Sequence, residues 1–213
     1  MTDTQQTQYS ISPIGRVQSP FKEKFGVPRQ SSLCSLESSL ILDGEGMSED
    51  CVQGLEQHSH IWVLFLFHQN LPQGWKPRVR PPRLGGNAKL GVLATRSSFR
   101  PNGIGMSAVK LLGVEVQGAS VLLRVQGLDL VDGTPIVDIK PYIPYSDALA
   151  DAHSEFAEQA PESDLSVQFT PDILAWLEAY HDQYPRLKAL IEQVLQQDPR
   201  PSYKKGKADP KLY

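Results

Sequence analysis

Apolar residues in this chain change their period once, and that change limits the fold more than any other feature. Up to about residue 146 they come in short runs bounded by Gly and Pro; beyond residue 170 they recur every three or four positions. The short runs read as strands over residues 9–17, 36–42, 59–67, 90–95, 107–116, 119–125 and 136–139. The run from Ile61 to Phe67 is continuously apolar, as in a strand buried on both faces. Gln117-Gly118 suits a tight hairpin turn. A short helix is predicted near residues 48–55, capped by Ser48 and stopped by Gly54. Six or seven short strands predict a mainly β fold, a small closed or nearly closed β-barrel.

The last third is expected to form a smaller C-terminal domain, α/β or helical. Thr170-Pro171 is a cap followed by proline at the first helical position. Ile173, Leu174, Trp176, Leu177 and Tyr180 then share one helical face. Pro185 is expected to open a second helix with Leu187, Leu190, Ile191, Val194 and Leu195 on its stripe. Asp198-Pro199-Arg200-Pro201 ends it. Residues 148–166 look like a linker or mobile loop. The domains are therefore placed at 1–146 and 147–213.

Composition excludes several classes. Of 213 residues, 40% are apolar and 21% charged, too apolar and too nearly neutral for a disordered chain. No apolar run approaches the roughly 20 residues of a membrane helix. Residues 1–8 lack the basic and apolar parts of a secretory signal, which predicts a cytoplasmic protein. Cys34 and Cys51 have no metal or redox spacing and read as free thiols. His58 and His60 alternate without a third ligand type nearby, so no metal is expected. There is no Gly-x-Gly-x-x-Gly, no P-loop and no Gly-x-Ser-x-Gly elbow.

The distribution of charge says more than its sum of -3. Residues 57–114 contain no Asp or Glu, but hold Lys76, Arg78, Arg80, Arg83, Lys89, Arg96, Arg100 and Lys110. Residues 141–185 are the reverse, with nine acids and no Lys or Arg. A basic field on an acidic protein points to an anionic partner met by one face.

Four loops rich in Pro, Gly and charge could carry chemistry: residues 19–30, 80–87, 94–107 and 128–144. Proline fixes their backbone, glycine admits a ligand, and arginine offers bidentate recognition of carboxylate or phosphate. The third loop reads Ala-Thr-Arg-Ser-x-Phe-Arg-Pro-Asn-x-Ile-Gly-Met-Ser, and the fourth contains Asp-Gly-Thr-Pro-x-x-Asp-Ile-Lys-Pro-Tyr. Together with Pro20-Phe21-Lys22-Glu23-Lys24-Phe25, Gly54-Leu55-Glu56, Ser59-His60, Val79-Arg80-Pro81-Pro82-Arg83-Leu84-Gly85-Gly86 and Asp198-Pro199-Arg200-Pro201-Ser202-Tyr203, these motifs resemble the TrmO/YaeB family over nearly the whole chain. That resemblance implies an S-adenosylmethionine-dependent methyltransferase acting on N6 of threonylcarbamoyladenosine at position 37 of tRNA. It also implies a barrel that binds the donor at a homodimer interface. Relatives usually carry proline where Gly103 stands, so this loop is expected to be slacker. They also continue past Tyr213, so the C-terminal domain is expected to be incomplete.

By the same resemblance the donor is held by Pro20, Phe21 and Lys22, by Ser59 and His60, by Arg96, and by Asp129, Leu130, Val131 and Asp132. His60 either packs on adenine or is a satisfied structural histidine. The acceptor N6 is urea-like, so a base or hydrogen-bond acceptor would strengthen it as a nucleophile. Asp138, Lys140 and Tyr142 are the candidates, Asp138 first. Alternatively Asp138 and Lys140, two apart on one strand, merely pair with other charges. Arg29, Arg80, Arg83 and Arg100 are the expected contacts to the tRNA anticodon stem-loop, with Arg100 the first choice for the threonyl carboxylate. A non-catalytic RNA-binding barrel is the competing class.

Overall fold

The structure is a computed structural model that describes residues 7–81, 84, 88–118, 120–160 and 165–199. Six antiparallel strands close into a barrel in the order β1-β2-β7-β6-β3-β8. They are β1 (Gly15–Gln18), β2 (Glu37–Leu42), β3 (His60–Leu66), β6 (Ile104–Gln117), β7 (Ser120–Gln126) and β8 (Pro135–Pro141). A separate ribbon pairs β4 (Arg78–Val79) with β5 (Leu90–Gly91). The barrel closes where β1 meets β8, Gly15 opposite Ile136.

Alternation builds the interior. Leu40, Ile61, Val63, Leu123, Val125 and Ile136 are fully buried and fill the barrel with side chains, as expected at this strand number. β3 is not covered on both faces. Its burial alternates, with Ile61, Val63 and Phe65 inward and Trp62, Leu64 and Leu66 half-buried outside. A continuous apolar run hid that period of two.

Several boundaries move. β1 begins only at Gly15, residues 7–13 being exposed. The 90–95 run yields two strand residues and then a 3-10 turn at Val92–Ala94. The helix expected near Ser48 is two 3-10 turns, Glu49–Val52 and Leu55–Gln57, split by Gly54 at φ 84°. β6 runs through Gln117, so the hairpin turn lies one residue later than Gln117-Gly118; Ala119 lies outside the described residues. A short helix, α1 (Pro144–Asp147), follows β8.

Two helices follow, α2 (Pro171–Ala179) and α3 (Leu187–Gln196), the second beginning after Pro185 rather than at it. On α2 only Leu177 is buried, and Ile173, Leu174, Trp176 and Tyr180 of the same apolar stripe remain exposed. α3 does pack on the barrel. Leu190 and Val194 lie against Phe21, Cys34 and Leu36. Gln193 Oε1 accepts from the Ser35 amide at 2.8 Å, and Arg186 pairs with Glu37. Cys34 and Cys51 are free thiols. No helix among the described residues is long and apolar enough to cross a membrane.

Candidate active site

Loops between strands gather at one mouth of the barrel. Ser19, the residue after β1, is the hub of two of them. Its amide donates to Asp132 Oδ1 at 3.0 Å and its hydroxyl to the Leu130 carbonyl at 2.9 Å. The Phe21 amide donates back to Ser19 Oγ, and the Asp132 amide to the Phe21 carbonyl at 2.7 Å. Lys22 Nζ reaches Asp132 Oδ2 at 2.7 Å. Partial burial would raise the Asp132 carboxyl, but the hydrogen bonds from Lys22 and Ser19 and the Lys22 charge hold it below the usual carboxylate range. Pro20, Phe21 and Lys22 thus form one wall with Leu130, Val131 and Asp132.

Beside this wall lies a cleft of about 240 Å³. Phe65 and Phe67 pack edge to face at 5.1 Å and, with Leu130 and Val131, give it apolar sides. Lys24, Asn70, Ser98 and Asp129 add polar groups. Asp129 is the one carboxylate in the lining, because the Phe65–Asn70 and Ser98 walls come from the acid-free stretch. Burial pushes its carboxyl up, against the lowering effect of the hydrogen bond from Ser107 Oγ (2.6 Å), of backbone amides and of the Arg96 charge. Arg96 is exposed and donates to Gln30 Oε1 at 2.6 Å.

Ser59 and His60 do not reach this mouth. His60 opens β3, whereas Phe65 beside the cleft is near its end, and five residues of strand span about 17 Å. His60 Nδ1 bonds Ser59 Oγ at 2.9 Å, and its ring meets the Tyr142 edge at 6.3 Å. Trp62 lies 5.5 Å from Tyr142 and donates to Asp147 Oδ2. Asp138 and Lys140 share the outer face of β8 and pair with each other at 2.9 Å, both partly exposed. The charge-pairing alternative therefore describes their geometry.

Arg100 is engaged locally: its Nη1 donates to the Thr95 carbonyl at 3.0 Å. This bond shapes the third loop and counts against Arg100 as a free carboxylate clamp. Arg29 and Arg80 are exposed, and Arg83 lies outside the described residues. Gly103 stands in the third loop, just before β6. It is buried at φ 62°, and its carbonyl accepts from the Phe67 amide at 2.7 Å. Among the described residues no group of three or more His, Cys, Asp or Glu could hold a metal. Sequence reasoning did not single out Ser19, Asn70 and Ser107, small polar residues whose importance comes from partners distant in the chain.

The family model for the tRNA-methyltransferase O N-terminal domain matches residues 16–148, and that for the TrmO C-terminal domain matches residues 162–213. The tRNA (adenine(37)-N6)-methyltransferase of Escherichia coli K12 is 50% identical over 97% of this chain and 88% of its own length. A putative S-adenosylmethionine-dependent methyltransferase, RcsF, of Pseudomonas aeruginosa PAO1 is 48% identical over 92% of this chain and 84% of its own. The crystal structure of TrmO from Pseudomonas aeruginosa superposes with a TM-score of 0.76 at 40% identity, covering 91% of this chain and 84% of that one. The two family models together span most of the sequence, and the chain belongs to the TrmO family.

Proposed function

We propose that this chain is an S-adenosylmethionine-dependent tRNA methyltransferase that methylates N6 of adenosine 37 bearing a threonylcarbamoyl group. Its relatives carry the name tRNA (adenine(37)-N6)-methyltransferase. The observation that carries the reading is the lacing of residues 19–22 to residues 130–132 beside a cleft with a single carboxylate. The Asp129 and Asp132 carboxylates, beside the Pro20–Lys22 wall, suit a ligand with ribose hydroxyls and an ammonium group. Arg96 suits its carboxylate.

Two features support a homodimer with shared sites. A cleft of about 240 Å³ is smaller than the roughly 300–1,000 Å³ usual for a cofactor. The His60 patch also lies too far along β3 to touch a donor seated at the mouth of the same barrel. A second copy would bring His60 of one protomer to the mouth of the other.

A bound donor supplies an electrophilic methyl on a sulfonium, displaced in line without a metal. The protein's part is positioning and proton management. Loops tied by Ser19 hold the donor pocket before binding, so less ordering is left for the transition state. Asp138, with Lys140 and Tyr142 on the same strand face, is the group we assign to accept the N6 proton. The Lys140 ion pair at 2.9 Å would align it. Arg29, Arg80 and Arg83 would hold phosphates of the anticodon stem-loop. An enzyme on tRNA works in the cytoplasm. Mass spectrometry of tRNA nucleosides from a deletion strain tests the reading. Loss of the N6-methyl form with the threonylcarbamoyl form retained supports it. An unchanged nucleoside profile refutes it in favour of a binding module.

A further inference from the structure

Among the described residues, Lys24 is the lining residue whose charge has no counter-charge. Its Nζ donates to Asn70 Oδ1 at 2.9 Å, a neutral amide on a residue only 7% exposed. Lys22, two positions earlier, is instead neutralised by Asp132. None of the ion pairs among the described residues involves Lys24. The carboxylate of the cleft does not serve it either, since Asp129 is bonded by Ser107 and feels the charge of Arg96. The segment that supplies Asn70, Phe65, Phe67 and Ser98 has no acid to offer. One of three ammonium donors is thus fixed by a buried amide and two remain for a ligand. The apolar walls of Phe65, Phe67, Leu130 and Val131 strengthen any charge contact made there.

An ammonium held by a neutral group beside aromatic walls is a receptor for a ligand anion with an apolar or aromatic body. We propose that Lys24, oriented by Asn70, receives an amino-acid carboxylate in this cleft. The proposal rests on the methyltransferase reading, under which two reactants carry such a group: the methionine end of the donor and the threonyl end of the acceptor. Asn70 acts here as a positioning residue.

The test uses the full chain as wild type, Lys24→Met and Lys24→Arg; Lys24 is exposed, so all three are expected to fold. Calorimetry compares S-adenosylhomocysteine with methylthioadenosine, which lacks the amino-acid end. Kinetics compare KM for threonylcarbamoylated tRNA with the inhibition constant of tRNA carrying plain adenosine 37. A charged hydrogen bond is worth about tenfold or more. Lys24→Met weakening S-adenosylhomocysteine about tenfold, with methylthioadenosine unchanged, places the donor carboxylate at Lys24. A tenfold rise in KM for modified tRNA, with the inhibition constant of unmodified tRNA unchanged, places the threonyl carboxylate there. In either case Lys24→Arg should recover most of the loss. Equal weakening of both nucleosides, equal weakening of both tRNAs, or changes under twofold throughout overturn the proposal. Wild-type protein that methylates no tRNA would instead refute the underlying reading, and the calorimetric arm would still judge Lys24.

Discussion

At the scale of residues, Ser19 and Asp129 define what the site costs and what it gains. Ser19 is buried and makes three hydrogen bonds that join two loops. Ser19→Ala is expected to cost about 1–2 kcal/mol, because the loss leaves the Leu130 carbonyl and the Phe21 amide without this partner. It should also weaken donor binding more than it slows the bound complex, as denaturation and calorimetry can read. Asp129 is the opposite case. With its carboxyl pushed up by burial, the folded protein holds a proton at pH values where the unfolded chain has lost it. Stability is therefore lost as pH rises from the ordinary carboxylate range through the raised folded value, and the cost persists at neutral pH. Asp129→Asn should flatten that part of the stability profile, raise the melting temperature at pH 7 and lower activity. A lower melting temperature would mean that the carboxylate is chiefly a structural acceptor. The role of Ser19 was not legible in sequence: Ser19 and Leu130 are 111 positions apart, and so meet only once the barrel closes. Pro20–Lys22 and Asp129–Asp132 are named as donor residues through family likeness rather than spacing.

At the scale of elements, the third loop holds Gly103 buried in a left-handed backbone conformation. Gly103 and Asn102 both adopt positive φ, and a side chain at Gly103 would meet Leu71 at 2.4 Å. Gly103→Ala is expected to destabilise by about 1–2 kcal/mol, from the left-handed backbone and the clash together. Gly103→Pro should cost more, since proline fixes φ near -65°. If Gly103→Pro melts at or above the wild-type temperature, the loop has a second backbone arrangement. The strands themselves were legible by their length and their Gly and Pro boundaries. Inside and outside faces of β3 were not, because Trp62, Leu64 and Leu66 cover the outer surface with apolar groups that mask the alternation. For α2 the helical spacing gives an apolar stripe but not its partner, and most of that stripe is exposed.

At the scale of the whole molecule, the charge map and the distance of His60 from the cleft bear on function. Arg80, with Arg78 and Lys76 near the β4–β5 ribbon, faces no acid in its own stretch of 58 residues. Binding of tRNA should fall steeply with salt, and Arg80→Ala should flatten the slope by about 0.7–0.9 per lost phosphate contact. An unchanged slope would put the RNA face elsewhere. A charge map needs no fold, so this feature was legible at once, whereas the separation of His60 from the cleft required the register of β3 against β8. That separation is the ground for a site built from two copies. Subunit complementation tests it most directly, with methyl incorporation into threonylcarbamoylated tRNA as the readout. His60→Ala and Asp132→Ala should each be nearly inactive alone. Mixed, unfolded and refolded together, half the dimers pair the two variants and each such dimer keeps one intact site, so about a quarter of wild-type activity should return. Activity no higher than the mean of the two separate variants would contradict the account and place each complete site within a single chain.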